Sequence, residues 1–445
     1  MPRTPSVSLH RTLRKLLPES VVAEAASSTG AFQRIRKVDA YDFVWSLILG
    51  FSAGKVRTIA GLRRAFERAT GTTLEESSFY ARFTPALVRL LRQLLDGVID
   101  QSWGLSRAAS GRLRQFRDIL VADSTVIRLH DLLAGAFPGC RTNHTRAAAK
   151  VHVLMCVAGA GKQTVKVTGE RRHDRRAFVL GPWVRGKLLL FDLGFFDFGL
   201  FRRIEDLGGH FVSRLKRSSN PVIVAQNRLW RGRSIPVVGQ RIWDVVEHLQ
   251  REELDVLVQV RARHRVYAGS RSSEVRTFRV VGLRDEASGD YHLYITDISV
   301  DALAPTDISR VYAVRWEVEL LFKELKSQYR LDQVPSRKRP VVEAMLYAAL
   351  LSLAASRALL REFRAVVRAG LVVPARRWSI VLAQHAVDLL HAVLHRRDDP
   401  DLVGLFLHEA PDPNRRRPHL VQSVEQGVHA YRTARTSAVS RRKVA

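Results

Sequence analysis

One stretch constrains this chain more than any other: Tyr312-Ala-Val-Arg315-Trp316-Glu-Val-Glu319-Leu-Leu-Phe322-Lys323-Glu-Leu-Lys326. Val311, Val314, Val318, Leu321, Phe322 and Leu325 recur at helical spacing and predict an amphipathic helix packed on a core. With Tyr312 at zero and about 100° per residue, Arg315 falls at roughly −60°, Glu319 at roughly −20° and Lys326 at roughly −40°. One stripe therefore carries a phenol, a guanidinium, a carboxylate and an ammonium, with Lys323 at its edge. Glu317 and Glu324 fall on the far side and are expected to point away. A carboxylate held among cations is what phosphate chemistry needs: a metal ligand flanked by groups that grip an anionic backbone. The residues alone also admit a solvated helix face with an Arg315–Glu319 pair one turn apart.

The charge balance points the same way. Lys and Arg number 72 against 43 Asp and Glu, a formal net charge of +29 over 445 residues. That excess exceeds what solubility requires and implies a polyanionic partner, double-stranded DNA above all, bound with strong salt dependence. Cys140 and Cys156 are the only cysteines, too few for a disulfide framework or a zinc site, which fits a reducing cytoplasm. The start, Met-Pro-Arg-Thr-Pro, has no apolar signal core. The most apolar run, Val341 to Leu360, contains Glu343 and Arg357 and predicts a buried helix with no role in a membrane.

Along the chain, residues 1–110 read as helical and basic. Thr58 is a plausible cap for a helix to Arg68, Gly71 opens a turn, and Leu74 to Phe83 predicts a second short helix. That pattern suits a helix-turn-helix DNA reader, or equally a plain helical hairpin. From 111 to 216 the pattern changes to strands at Asp118–Leu129, Lys150–Val157 and Gln163–Val167. A weak helix follows at Arg176–Val184, then a buried strand at Lys187–Asp192, a helix at Phe198–Leu207 and a strand at His210–Lys216. Gly161-Lys162 has neither the leading Gly nor the following Ser or Thr of a phosphate loop, so Gly159–Lys162 reads as a hairpin turn. Residues 217–305 read mainly as β, with strands at Asp255–Arg261, Val275–Val281 and Tyr291–Thr296 and one helix at Arg241–Leu249. Residues 306–400 hold the Tyr312–Lys326 helix and further apolar helices, one of them Trp378–Leu394, and residues 401–445 read as a basic flexible tail.

Two aspartates stand out upstream. Asp123 follows Ile119-Leu120-Val121-Ala122, and Asp192 follows Leu188-Leu-Leu-Phe191. A carboxylate in an apolar strand costs free energy unless it is paired or metal-bound, although an Asp ending a strand is often only a turn or helix cap. Three strands, helix, strand, helix, strand is the ribonuclease-H-like order, in which a late helix brings a third carboxylate. Asp123, Asp192 and Glu319 are therefore expected to converge closely enough to share one or two divalent ions.

Tyr312-x2-Arg315-x3-Glu319-x6-Lys326, with Asp123-Ser-Thr and Asp192-x-Gly194-Phe195, resembles the signature of a bacterial insertion-sequence transposase family, the fourth in the standard numbering. The resemblance implies an α/β fold: a ribonuclease-H-like catalytic core with a mainly β insertion at 217–305, and a helical N-terminal DNA-binding domain. It implies a cut-and-paste DNA transposase with Asp123, Asp192 and Glu319 as catalytic metal ligands for two Mg2+ ions, replaceable by Mn2+. Tyr312, Arg315, Lys323 and Lys326 would contact DNA at the element end, Arg through paired hydrogen bonds and Lys as a point charge. Synapsis implies a homodimer acting on element ends and target DNA. A metal-dependent nuclease on the same fold, or a catalytically silent DNA-binding regulator derived from a transposase, are the alternatives. His152 reads as an inward strand residue with a structural hydrogen bond, and His173-Asp174 as part of a solvated loop. Trp230 and Trp243 are candidates to stack on a displaced base or to pack in the core.

Overall fold

The central strands are the apolar runs marked above. In the computed structural model, residues 7–412 are described apart from 33–37, 54–57, 103–110, 141–144, 160, 162, 228–234, 264–271, 287, 328–335 and 368–370. Strands β1 (Ile119–Arg128), β2 (Ala148–Ala158), β3 (Thr164–Gly169), β4 (Leu188–Phe191) and β5 (His210–Arg214) are followed by β6 (Val222–Gln226), β7 (Glu253–Arg263), β8 (Ser273–Arg284) and β9 (Tyr291–Thr296). They form one nine-stranded sheet in the order β3-β2-β1-β4-β5-β9-β8-β7-β6. β1, β4 and β5 run parallel, and the remaining pairings are antiparallel. All four residues of β4 are buried, as expected of a central parallel strand covered on both faces.

Alternation along these strands divides the core. Ile119, Val121, Val151, Val153, Leu188 and Leu190 face one cluster; Leu120, Ala122, Leu154, Cys156, Leu189 and Phe191 face the other. The second face is covered by α8 (Phe198–Asp206), α9 (Ile242–His248) and the Phe178–Trp183 segment. Between Arg176 and Val184 only α7 (Asp174–Ala177) and a single 3-10 turn form, since Gly181-Pro182 interrupts a longer helix. The β2–β3 connection is the expected hairpin. Gly159 has φ +98° there, and a Cβ on it would meet Asp118 Oδ1 at 2.3 Å, so only glycine fits against Asp118.

The first face carries the other helices: α1 (Leu9–Leu16), α2 (Glu19–Thr29), α3 (Ala40–Ala53), α4 (Ile59–Thr70), α5 (Glu76–Tyr80), α6 (Pro85–Ser102), α10 (Pro305–Ala313), α11 (Trp316–Ser327), α12 (Arg339–Val366), α13 (Ala375–Gln384), α14 (Ala386–Leu394) and α15 (Pro400–Glu409). Thr58 caps α4 as expected, its hydroxyl accepting from the Gly61 N–H at 3.0 Å. The second helix is shorter than the Leu74–Phe83 reading. Glu67 Oε1 accepts the Leu74 N–H at 3.0 Å and Arg63 donates to the Leu74 carbonyl at 2.8 Å, which holds that residue in an extended link.

Two tertiary facts change the organisation read from sequence. The helices of residues 1–110 share their core with the C-terminal helices: α12 packs on α6, α3 and α1, and α14 on α3, α1 and α4. α12 is long and apolar enough to cross a membrane, but 83% of its most apolar window is buried inside the protein. The second concerns the insertion. β9 pairs with β5, so β6–β9 extend the catalytic-side sheet instead of forming a separate β unit. The tail also begins later than 401. Residues Pro400–Glu409 are helical, with Phe406 fully buried against Trp378 and Phe363 at 5.1 and 5.4 Å between rings. The remainder of the tail from 413, and Trp230, lie outside the described residues. Trp378–Leu394 is likewise two helices, α13 and α14, meeting at His385.

Candidate active site

The site is built where β1 and β4 run side by side. Their parallel register pairs Ala122 with Phe191, so the next residues, Asp123 and Asp192, stand side by side. Alternation puts both on the face that carries α11, which packs across β1 and β2. Asp123 lies inside β1, while Asp192 sits at the end of β4 before the turn Leu193–Phe195.

The Tyr312–Lys326 segment is two helices, not one. Val314 and Arg315 hydrogen-bond back only three residues, to Val311 and Tyr312, and Glu317 and Val318 do the same to Val314 and Arg315. This tightened turn re-aims α11 relative to α10. The expected apolar face holds: Val311, Val314, Val318, Leu321, Phe322 and Leu325 are all buried. Tyr312 leaves the polar stripe. Its ring packs on Tyr294 at 5.1 Å, and burial pushes its pKa up to about 12 against the lowering by the neighbouring Arg315. Arg315 remains beside it, the guanidinium 5.5 Å from the Tyr312 ring centre.

Arg315 joins the carboxylates. Its Nη1 is 3.5 Å from Asp123 Oδ2, and its Nη2 donates to Glu319 Oε1. Asp123 Oδ1 accepts the N–H of Ser124 at 2.7 Å. Burial nonetheless pushes the Asp123 carboxyl up to about 6, with the Asp192 and Glu319 charges adding to the rise against the lowering by Ser124 and Arg315. The expected close convergence is not met in full. Among the described residues no three acidic, His or Cys side chains lie close enough together to hold a metal ion as they stand. Arg315 stands between Asp123 and Glu319. The donor set still suits a divalent cation: hard carboxylate oxygens, one of them desolvated and short of positive charge.

Lys323 is exposed and Lys326 half-buried along α11, and Trp316 is 51% exposed at its start. Glu324 points away as expected, forming a buried pair with Arg357 on α12; Glu317 is also buried. A cleft of about 560 Å3 adjoins Asp123, and its lining includes His152, Asp174, Phe178 and Trp183. His152 plays the structural role expected, with Nε2 2.8 Å from Thr168 Oγ1. Asp174 corrects the solvated-loop reading: its carboxylate turns inward, 3.1 Å from Lys150 Nζ and 3.0 Å from His152 Nδ1. Burial raises its pKa, but His152, Ser124 and Lys150 outweigh that and hold it well below the usual carboxylate range. Trp243 is a packing residue, its indole N–H donating to the Ser219 carbonyl at 2.9 Å and its ring lying under Arg217.

Sequence reading missed one buried pair. Arg279 on β8 forms a two-pronged bond with Asp255 on β7, at 2.8 and 2.6 Å, and its Nη1 donates to the carbonyls of Ile298, Ser299 and Leu303 just before α10. Only a charged residue in each of two apolar strands hinted at it; the register sets Asp255 opposite Val281 and Arg279 opposite Leu257, so the pair is diagonal.

A mixed α/β sheet that presents two aspartates to the turn and helix bearing Arg315 and Glu319 has the carboxylates and cation that phosphoryl transfer on nucleic acid uses. The Transposase DDE domain family model matches residues 114–354, and the chain belongs to that family. The chain is 22% identical over 321 residues to the transposase for insertion sequence element IS231F of Bacillus thuringiensis subsp. israelensis, covering 64% of this chain and 65% of that one. It is 22% identical over 386 residues to the transposase for IS231B of Bacillus thuringiensis subsp. berliner, covering 76% and 77%. It is 18% identical to the transposase for IS1151 of Clostridium perfringens, over 81% and 82%. It is a DNA transposase of the insertion-sequence type, and its family is divalent-metal-dependent.

Proposed function

We propose that this transposase excises and inserts an element by cut-and-paste chemistry, with Asp123, Asp192 and Glu319 as the metal-binding carboxylates. The observation that carries the reading is the register of β1 and β4, which sets Asp123 and Asp192 side by side on the face where Arg315, just before α11, reaches both Asp123 and Glu319. The strand order β3-β2-β1-β4-β5, with β1 and β2 antiparallel and β1, β4 and β5 parallel, supports a ribonuclease-H-like core into which residues 217–305 are inserted. The Tyr312, Arg315, Glu319 and Lys326 spacing supports membership of insertion-sequence family four.

Two Mg2+ ions held by the three carboxylates, or Mn2+ in their place, would activate the attacking water or 3′-hydroxyl and stabilise the leaving oxygen. The chain's own residues do the rest. Arg315 holds Asp123 and Glu319 in place and is released to phosphate when DNA enters. Lys323 and Lys326, further along α11, track the strand beyond the cut. Tyr312 sets its ring against the Arg315 guanidinium. The partners are the element ends and target DNA, met as a homodimer in the bacterial cytoplasm, with residues 1–110 contributing end recognition.

The test is an end-bearing duplex incubated with Mg2+, following nicking, second-strand cleavage and joining to a target separately. Cleavage at the element boundary followed by joining supports the proposal. Cleavage without joining makes the protein a nuclease on this fold, and end binding without cleavage makes it a regulator.

A further inference from the structure

Behind the Asp123 face lies a second polar cluster that the chemistry above does not use. Side chains alternate along β1, so Ser124 faces the opposite side of the sheet from Asp123. Ser124 pairs across the ladder with His152 on β2, and Asp123 with Val153. Asp174, at the start of α7, reaches this spot. Its carboxylate takes Lys150 Nζ at 3.1 Å and faces His152 Nδ1 at 3.0 Å, with the Ser124 side chain close enough to help lower its pKa. The His152 ring is held from its other side by Thr168, whose Oγ1 lies 2.8 Å from Nε2. The Asp174 side chain is 14% exposed and that of His152 is 9% exposed.

The same segment is fastened to the other aspartate. α7 packs against the turn Leu193–Phe195 that follows Asp192. Gly194 brings its backbone to Asp174, where a Cβ would sit 3.5 Å from Oδ2. Phe178, directly after α7, packs edge-on against Phe191 and Phe195, the two rings that bracket Asp192, at 5.5 and 6.0 Å. Asp174 is thus paired with residues of β2 beside the Asp123 strand while its helix packs on the turn that follows Asp192. Its partners Ser124 and His152 alternate with Asp123 and Val153, so they face the side of the sheet opposite α11.

We propose that Asp174 is a positioning residue that sets the spacing of Asp123 and Asp192 through Ser124, His152 and Lys150 on one side and the Gly194 turn on the other. This rests on the reading of Asp123 and Asp192 as metal ligands. Carboxylates that must share an ion tolerate little misplacement, and groups that orient metal ligands cost about 10–100-fold in metal affinity or activity when removed. A helix start that only decorated the surface would not bury its carboxylate on two neighbours of a catalytic strand.

The experiment uses the full chain with an end-bearing duplex and compares Asp174→Ala, Asp174→Asn, Asp123→Asn and Lys187→Met. Lys187→Met removes the 2.8 Å ion pair to Asp118 at the far end of the same two strands. Bound Mn2+ is measured by electron paramagnetic resonance, alongside Tm, end binding and the Mg2+ dependence of single-turnover cleavage. Asp174→Ala is expected to raise the half-saturating metal concentration by about 10–100-fold while end binding is retained. Asp174→Asn, which keeps an acceptor for Lys150, should fall between Ala and wild type, and it decides the matter if the Ala variant does not fold. Lys187→Met should lower Tm and leave the metal midpoint alone. A wild-type metal midpoint in both Asp174 variants, whatever their Tm, overturns the proposal. Asp123→Asn separates the two layers: if it is inactive while Asp174 variants bind metal normally, only the positioning role fails; if it cleaves normally, the ligand reading fails with it.

Discussion

The guanidinium of Arg315 lies 3.5 Å from the carboxylate of Asp123, although 192 residues separate them in the chain. The contact joins the first strand of the sheet to the helix that carries Glu319. Arg315 therefore offsets the charge of both Asp123 and Glu319.

Removing ligands without adding charge should separate binding from chemistry. Asp123→Asn, Asp192→Asn and Glu319→Gln are each expected to abolish cleavage while end binding persists, because none makes the DNA-facing surface more negative. Gel-shift affinity measured beside single-turnover cleavage checks this. Cleavage near the wild-type rate in any of the three would remove that residue from the site.

Arg315→Ala and Lys326→Ala should act late. The chain carries a net charge of +29, so losing one phosphate contact changes the salt slope of binding by only about one. A misplaced end phosphate can cost about 100-fold in rate. Nicking, second-strand cleavage and strand transfer timed separately should show the loss in the chemical steps. Normal rates at every step with weaker general binding would return both residues to a plain cationic surface.

Arg279 should be a stability residue. Arg279→Met leaves Asp255 wholly buried with only Asn227 for a side-chain partner, at 2.9 Å. Breaking a buried pair from one side costs about 3–5 kcal/mol, whereas replacing both members by apolar groups is often close to neutral. Urea unfolding should show that large loss in Arg279→Met and most of it recovered in Arg279→Met combined with Asp255→Leu. A single variant as stable as wild type would contradict the burial argument.

A fragment of residues 1–110 should not fold on its own. Its helices bury Phe43, Trp45, Leu90 and Leu94 in the same core as α12 and α14. Cut away, those faces meet water. Circular dichroism should show low helicity and no cooperative melt, and end preference should be lost with the fold. A fragment that melts cooperatively and still prefers element ends would make the N-terminal helices a separable reader, as their pattern in the sequence suggests.

Local chemistry alone settled the elements: four apolar residues before each aspartate made β1 and β4, helical spacing buried Val318 and Leu325, and Thr58 capped its helix. Those signals lie within a few residues of one another, where alternation, periodicity and capping act. Tertiary structure alone decided what depends on contacts between distant segments. The turn at Val314–Arg315 moved Tyr312 into the core because Tyr294 offered a ring there. The 217–305 strands joined the main sheet because β5 had a free edge for β9. Asp174 turned inward because Lys150 and His152, over twenty residues back, presented positive charge and donors on the hidden face. Phe406 made a helix of what reads as tail because Trp378 and Phe363 formed a pocket for it. A linear pattern records which face of a segment is apolar; which partner covers that face is set by the free energy of the assembled core.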